Sequence, residues 1–226
     1  MGCSTATVIE RYRKKIEFNK SDLEDFIMPE VDVIHINTID STMPASRGFI
    51  DEGNQLPFIY NADIQTHGKG KGARKWAGSI KGNLYTSTGI PKNKIKNEVN
   101  NKDKIVKITA ISIIQELLKL NEKEFFLKYP NDILCKDNKK LGGILVEDYK
   151  DFFIIGFGIN LKKKPDMSQI RAQGLSPCCV REHLSSDKDV PSPLDLSINI
   201  TKNIIHNINL KEEEIVQLFE QYMNKN

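Results

Sequence analysis

The chain has 226 residues, of which 39% are hydrophobic and 28% charged, enough to bury a full core without disulfide staples. Its 33 basic and 30 acidic residues leave a net charge of +3, too mild to mark a nucleic-acid binder. No apolar run is long enough to span a bilayer and no secretory signal opens the chain, which excludes stable membrane insertion.

In chain order, residues 7–28 mix apolar and charged positions and are expected to form one or two short helices. Val31 to Ile36 alternates and is rich in Val and Ile, the pattern of a strand. Asp40 or Ser41 is placed to cap a helix that begins near Met43. Phe58 to Ile64 reads as a strand, Gln65 to Gly82 as a glycine-rich loop, and Asn83 to Gly89 as another strand. Asp103 to Leu120 is the clearest helix, with Ile108, Ile111, Ile114 and Leu118 at helical spacing. Strands are expected at Phe125 to Lys128, Ile133 to Cys135 and Leu141 to Tyr149, with a polar hairpin turn over Lys136 to Lys139. A further strand covers Phe152 to Leu161. Residues 162–190 are polar and irregular. Ser192-Pro193 is an N-cap followed by proline at the first helical position, and the helix continues through Ile200, Ile204 and Ile208. Ile215, Leu218, Phe219 and Tyr222 stripe a last helix. The expected fold is α+β, a mixed, antiparallel-rich sheet with packed helices. No repeat or linker divides the chain, so residues 31–226 are read as one domain behind an N-terminal extension, 1–30.

The four cysteines are Cys3, Cys135, Cys178 and Cys179, without a Cys-x-x-Cys pair. That spacing gives no support to a zinc or redox site and suits a reducing, cytoplasmic setting. Gly2 and Cys3 are potential lipidation positions, but Ala6 stands where a myristoylation motif wants Ser or Thr. An ordinary frayed terminus is the favoured reading.

Two stretches point to chemistry. In Gln65-Thr66-His67-Gly68-Lys69-Gly70-Lys71-Gly72-Ala73-Arg74-Lys75-Trp76, alternating glycines allow close backbone approach and an anion-binding nest of amides. Lys69, Lys71 and Arg74 add positive charge suited to phosphates, and Trp76 offers the only indole face for a base. Taken alone, such a loop is as readily a solvated turn. It is neither a Walker A loop nor a dinucleotide-binding fingerprint, because the glycine spacing fits neither. The second stretch is Lys128-Tyr129-Pro130-Asn131-Asp132, followed by Lys140-Leu141-Gly142-Gly143-Ile144-Leu145-Val146-Glu147. Glycines inside a strand pattern imply that something approaches the backbone there. Gly156-Phe157-Gly158-Ile159-Asn160 repeats that oddity.

Together these stretches, with Asp40-Ser41-Thr42 before them, resemble the catalytic domain of biotin protein ligases (holocarboxylase synthetases). The family's motifs run Asp-Ser-Thr, Gln-Thr-x-Gly-Arg-Gly-Arg with a tryptophan shortly after, Lys-Trp-Pro-Asn-Asp, Lys-hydrophobic-Ala/Gly-Gly-hydrophobic-Leu-Val-Glu and Gly-hydrophobic-Gly-Ile-Asn. All five occur here in order between Asp40 and Asn160. Lys69 and Lys71 replace the arginines usual in bacterial members, which keeps charge but loses bidentate phosphate binding. Tyr129 replaces a tryptophan. The pattern leaves no room for the family's small C-terminal β-barrel, so a catalytic domain without it is expected.

The resemblance implies a ligase that joins biotin to ATP as biotinyl-5′-AMP, with Mg²⁺, and then transfers biotin to a lysine of a biotin carboxyl carrier domain. It implies Lys140, Asp132, Lys71 and Arg74 as catalytic residues. It implies Ser41, Thr42, Gln65, Gly68, Lys69, Gly143 and Gly158 around biotin. Around ATP and the adenylate it implies Lys69, Lys71, Arg74, Trp76, Asn131, Lys140, Ile159 and Asn160, with Asp132 as a metal ligand. The expected protein is a monomer or homodimer that does not bind nucleic acid. Two alternatives stay open: a lipoate or octanoate–protein ligase, and a non-catalytic biotin- or nucleotide-binding module.

Overall fold

The computed structural model describes residues 9–14, 30–72, 74–95, 101–121, 124–166, 175–186 and 189–223. Gly2, Cys3 and residues 15–28 lie outside them. Among these residues eight strands form one sheet, in the order β1-β2-β3-β4-β8-β7-β6-β5. The strands are β1 (Ile9–Lys14), β2 (Val31–Ile39), β3 (Phe58–Gln65), β4 (Leu84–Pro91), β5 (Phe125–Lys128), β6 (Asp132–Cys135), β7 (Lys140–Tyr149) and β8 (Phe152–Ile159). Only the β2–β3 pair is parallel; every other neighbour pair is antiparallel. The parallel pair needs a crossover, and α1 (Thr42–Asp51) supplies it. The other helices are α2 (Lys102–Leu118), α3 (Pro193–Asn207) and α4 (Glu212–Tyr222).

Strand alternation sorts the core into two layers. Phe152 and Ile154 of β8 join Ile34 and Ile36 of β2 and Met43, Phe49 and Ile50 of α1 in one cluster. Phe153, Ile155, Phe157 and Ile159 face the other way, into the larger cluster with α2, α3 and α4. Both faces of β8 are therefore covered, which is why its sequence is an unbroken apolar run. Within the larger layer α2 is central and packs on both α3 and α4. Ser192 caps α3 as its sequence predicts, accepting a 3.5 Å bond from the Asp195 amide. Among the described residues, no helix is long and apolar enough to cross a membrane.

One sequence expectation is corrected. Residues 9–14, expected within a helical stretch, are the edge strand β1, paired antiparallel to β2. The reason is tertiary. Asp32 of β2 is buried, and a buried carboxylate needs charged partners. Arg11 Nη2 and Arg13 Nε of β1 donate to its two oxygens at 3.0 and 3.3 Å. Helical propensity yields to that cross-strand pairing.

Candidate active site

The site lies where the start of α1, the loop after β3, and the glycine-bearing parts of β7 and β8 converge. Ser41 is the N-cap residue of α1, with extended backbone (φ −163°, ψ 140°), yet its hydroxyl makes no capping bond. Gln65, at the end of β3, takes over that task. Its Oε1 accepts from the Thr42 amide at 2.8 Å and from the Thr42 hydroxyl at 3.2 Å. Ser41 Oγ is thereby left buried without a protein partner.

The glycine-rich loop folds as a small hairpin. Lys69 and Lys75 pair in an antiparallel bridge. The Gly70 amide donates to the Arg74 carbonyl at 2.9 Å, and the Trp76 amide to the Gly68 carbonyl at 2.8 Å. Gly72, near the tip, has φ +68°, a conformation that side-chain-bearing residues rarely adopt. Asp40 moors the base of the hairpin, accepting from the Thr66 hydroxyl at 2.6 Å with His67 Nδ1 at 3.1 Å. The Thr66 bond, with help from His67, holds the Asp40 carboxyl below its ordinary range. Asp40 therefore stays ionised at the loop base.

The hairpin carries Trp76 onto the sheet. Gly143 of β7 and Gly158 of β8 are cross-strand partners, and together they make a trough with no side chains of its own. A Cβ on Gly158 would lie 2.5 Å from the Trp76 ring, and one on Gly143 3.2 Å from it. The glycines are thus required by the indole's approach. Trp76 Nε1 is buried without a partner. Two polar donors with no protein acceptor in one cleft are expensive unless a ligand satisfies them.

Lys140 enters from the start of β7. Its ammonium lies 2.6 Å from Asp132 Oδ1 and 5.8 Å from the Trp76 ring centroid. β6 and β7 are antiparallel neighbours, so the turn between them brings Asp132 and Lys140 together. Asn131 stands at the same edge. Its side chain donates to the Ile144 carbonyl at 2.9 Å, while its carbonyl accepts from the Ile144 amide at 3.0 Å.

The resulting cleft spans about 650 Å³, counting the space at its open mouth. Among the sequence-predicted residues, Ser41, Thr42, Gln65, Lys69, Lys71, Arg74, Trp76, Asn131, Lys140, Gly143 and Gly158 line it. Three others support it from behind. A Cβ on Gly68 would lie 2.7 Å from the Trp76 carbonyl oxygen, Asp132 holds Lys140, and Asn160 is buried and donates to the Cys178 carbonyl at 3.0 Å. Ile159 is fully buried in the layer beneath α2–α4. Sequence reasoning missed Met43 and Gly156, where Met43 Sδ would be 2.6 Å from a Cβ. The signal was available: Gly156 falls on the same strand face as Gly158.

The charge pattern is one-sided. Lys69, Lys71, Arg74, Lys75 and Lys140 line the cleft, and no Asp or Glu lines it among the described residues. Low-dielectric walls lined by one sign of charge attract an anion.

The biotin/lipoate A/B protein ligase family matches residues 36–160, more than half of the chain. The chain belongs to this family. Among curated relatives, the biotin–[acetyl-CoA-carboxylase] ligase of Mycobacterium tuberculosis is 27% identical over 106 residues, 46% of this chain. That match spans only 40% of the relative's length. Among solved structures, the biotin protein ligase of Leishmania major in complex with biotin superposes with a TM-score of 0.71 at 28% identity. It covers 84% of this chain and 81% of that one. The same ligase in complex with biotinyl-5-AMP gives a TM-score of 0.70 at 27% identity, covering 86% and 81%. The Aquifex aeolicus biotin protein ligase in complex with biotin and ATP gives 0.69 at 27%, covering 84% and 78%.

Proposed function

We propose that this family member is a biotin–protein ligase, and that its cleft holds biotin and ATP side by side. One observation carries the reading: two buried, unpartnered polar groups, Ser41 Oγ and Trp76 Nε1, share a cleft with a rim of cations. Such a cleft suits a ligand with a hydrogen-bonding head, a slender apolar middle and an anionic end. Relatives crystallised with biotin, ATP and biotinyl-5-AMP support the choice of ligand.

On this reading an oxygen of the biotin carboxylate attacks the ATP α-phosphorus, the bond to the β-phosphate oxygen breaks, and pyrophosphate leaves. Negative charge builds on the phosphoryl oxygens, and the Lys140 ammonium stabilises it in place. Asp132 positions that ammonium. Lys69, Lys71 and Arg74 bind phosphate, and the hairpin that carries them shields the mixed anhydride from water. Ser41, Thr42 and Gln65 bind the ureido head, and the part of the cleft beside the Trp76 ring, near Gly156, admits the slender chain. In the second step a carrier lysine amine attacks the biotinyl carbonyl carbon and AMP departs. The carrier is a carboxyl carrier domain, as the activity of the curated relative suggests. Trp76 and Asn131 serve the adenine side, and Asn160 steadies the wall behind them.

Mg²⁺ is treated as the nucleotide's own counter-ion. Asp132 is engaged by Lys140, and no carboxylate lines the cleft among the described residues. These groups do not make a protein-built Mg²⁺ site, which ordinarily uses one or two free carboxylates with substrate phosphates. The free thiols Cys135, Cys178 and Cys179 fit a reducing, cytoplasmic setting.

The test is ATP–pyrophosphate exchange, run once with biotin and once with lipoate. Biotin-dependent exchange is expected. Exchange with lipoate alone would move the protein to the lipoate branch of its family, and no exchange with either would make it a binding module.

A further inference from the structure

Beside the backbone of Lys140, the fold assembles a cluster that the sequence keeps apart. Cys135 ends β6, Cys178 lies in the segment after the last motif, and His183 closes a short 3-10 turn, Val180–His183. One ligand atom from each lies within 4.8 Å of the other two. Both cysteines are buried, and the His183 side chain is 12% exposed.

We propose that Cys135, Cys178 and His183 form a structural Zn²⁺ site that fixes the backbone carrying Lys140. The donor set is that of thiolate–imidazole zinc centres. Zn–S and Zn–N bonds of about 2.3 and 2.0 Å place tetrahedral ligand atoms about 3.5–4 Å apart, so modest side-chain shifts close the site. Charge balance suits the burial. Two thiols lose their protons to solvent as the ion binds, and two thiolates with a neutral imidazole cancel the dipositive charge. No net charge is left in the core.

The surroundings fit as well. His183 Nδ1 lies 3.0 Å from Glu124 Oε2. A carboxylate on one ring nitrogen and a metal on the other is the arrangement that orients histidine ligands, and the other nitrogen goes to the ion on this assignment. The fourth position is left to water or a carbonyl. The Lys139 carbonyl already lies 3.4 Å from Cys178 Sγ. Burial, with Cys135 beside it, pushes the Cys178 thiol up.

The site would staple three segments around one residue. The Lys140 amide donates to the Ser176 carbonyl at 2.7 Å, and its carbonyl accepts from the Cys178 amide at 3.0 Å. The Cys135 amide donates to the Lys139 carbonyl at 3.0 Å. Fixing Cys135 to Cys178 therefore fixes the backbone of Lys140 from both sides, a positioning role at a distance from the reacting atoms.

The test uses the full chain, reduced, stripped of metal and titrated anaerobically with Co²⁺. One equivalent should bind, with a sulfur-to-cobalt charge-transfer band in the near ultraviolet and tetrahedral d–d bands in the visible, all displaced by Zn²⁺. Cys135→Ser and Cys178→Ser should each weaken the charge-transfer band and the affinity. Glu124→Gln should weaken affinity by about 10- to 100-fold. Cys179→Ser should change nothing, because Cys179 Sγ points to the Lys162 carbonyl at 3.6 Å. If a serine variant fails to fold, the wild-type protein still decides, by whether the charge-transfer band appears with one equivalent of Co²⁺ and is displaced by Zn²⁺. A folded wild type that binds no stoichiometric Co²⁺, or keeps its band in Cys178→Ser, would show two ordinary core thiols beside a histidine.

Discussion

Lys140→Ala separates stability from chemistry more sharply than any other change in the site. The Lys140 and Asp132 side chains are 28% and 24% exposed, so their ion pair is partly screened. Screened pairs are worth about 0.2–1 kcal/mol, and a chain of this size loses roughly 2–4 °C of Tm per kcal/mol. The folded state should therefore lose at most a few degrees. The transition state should lose far more. A positioned donor on a developing oxyanion is worth about 2.7–4 kcal/mol, or roughly 100- to 1,000-fold in rate. Biotin-dependent ATP–pyrophosphate exchange measures the adenylation step alone, and a thermal melt of the same sample measures the fold. Asp132→Asn should give a smaller kinetic loss, since the cation remains but is no longer held. Exchange by Lys140→Ala within about threefold of wild type, with the fold intact, would remove Lys140 from the chemistry.

Three further outcomes are expected. Trp76, the only tryptophan, should change its emission when biotin and ATP bind. Trp76→Ala should weaken ATP binding by about 1–3 kcal/mol, more than it weakens biotin binding. Unchanged emission in a titration under which ATP is bound by calorimetry would sink its stacking role. Lys71→Gly should still form biotinyl-AMP but release it early, labelling a bystander lysine-rich protein mixed with the carrier domain. Clean labelling of the carrier at the normal rate would remove Lys71 from loop closure. Burial pushes Glu182 up, but the Lys164 side chain and the Cys179 amide outweigh it and hold its carboxyl below the ordinary 4.5. A lowered folded value contributes stability that is present above about pH 4.5 and fades as pH falls through that lower value. The melting difference between wild type and Glu182→Gln should therefore shrink on acidification below pH 4.5, and a difference independent of pH would contradict the assignment.

Local patterns in the sequence determine much of this protein's secondary structure. Helices α2, α3 and α4 and strands β3 to β8 follow from apolar periodicity, turn residues and the Ser192-Pro193 cap, because those signals act within a few residues of one another. The family resemblance singled out Ser41, Gln65, Trp76, Lys140, Gly143 and Gly158, and the fold brings them to one cleft. Glycines inside strand patterns and a basic glycine-rich loop are costly choices that chemistry explains better than packing.

What the sequence could not express is which distant groups satisfy one another. Residues 9–14 look helical until the buried Asp32 draws Arg11 and Arg13 across to it. Ser41 reads as a helix cap until Gln65, 24 positions later, takes the Thr42 amide and frees the hydroxyl for the cleft. Trp76 offers a face to any ligand in the sequence, but only sheet register puts Gly143 opposite Gly158 and opens the trough it occupies. The cysteines lack metal-binding spacing, yet the closing of β6 against β7 and the segment after Asn160 sets Cys135, Cys178 and His183 together. In each case the deciding term is the cost of burying a polar or charged group, and that cost is defined only once the whole chain has chosen what is inside.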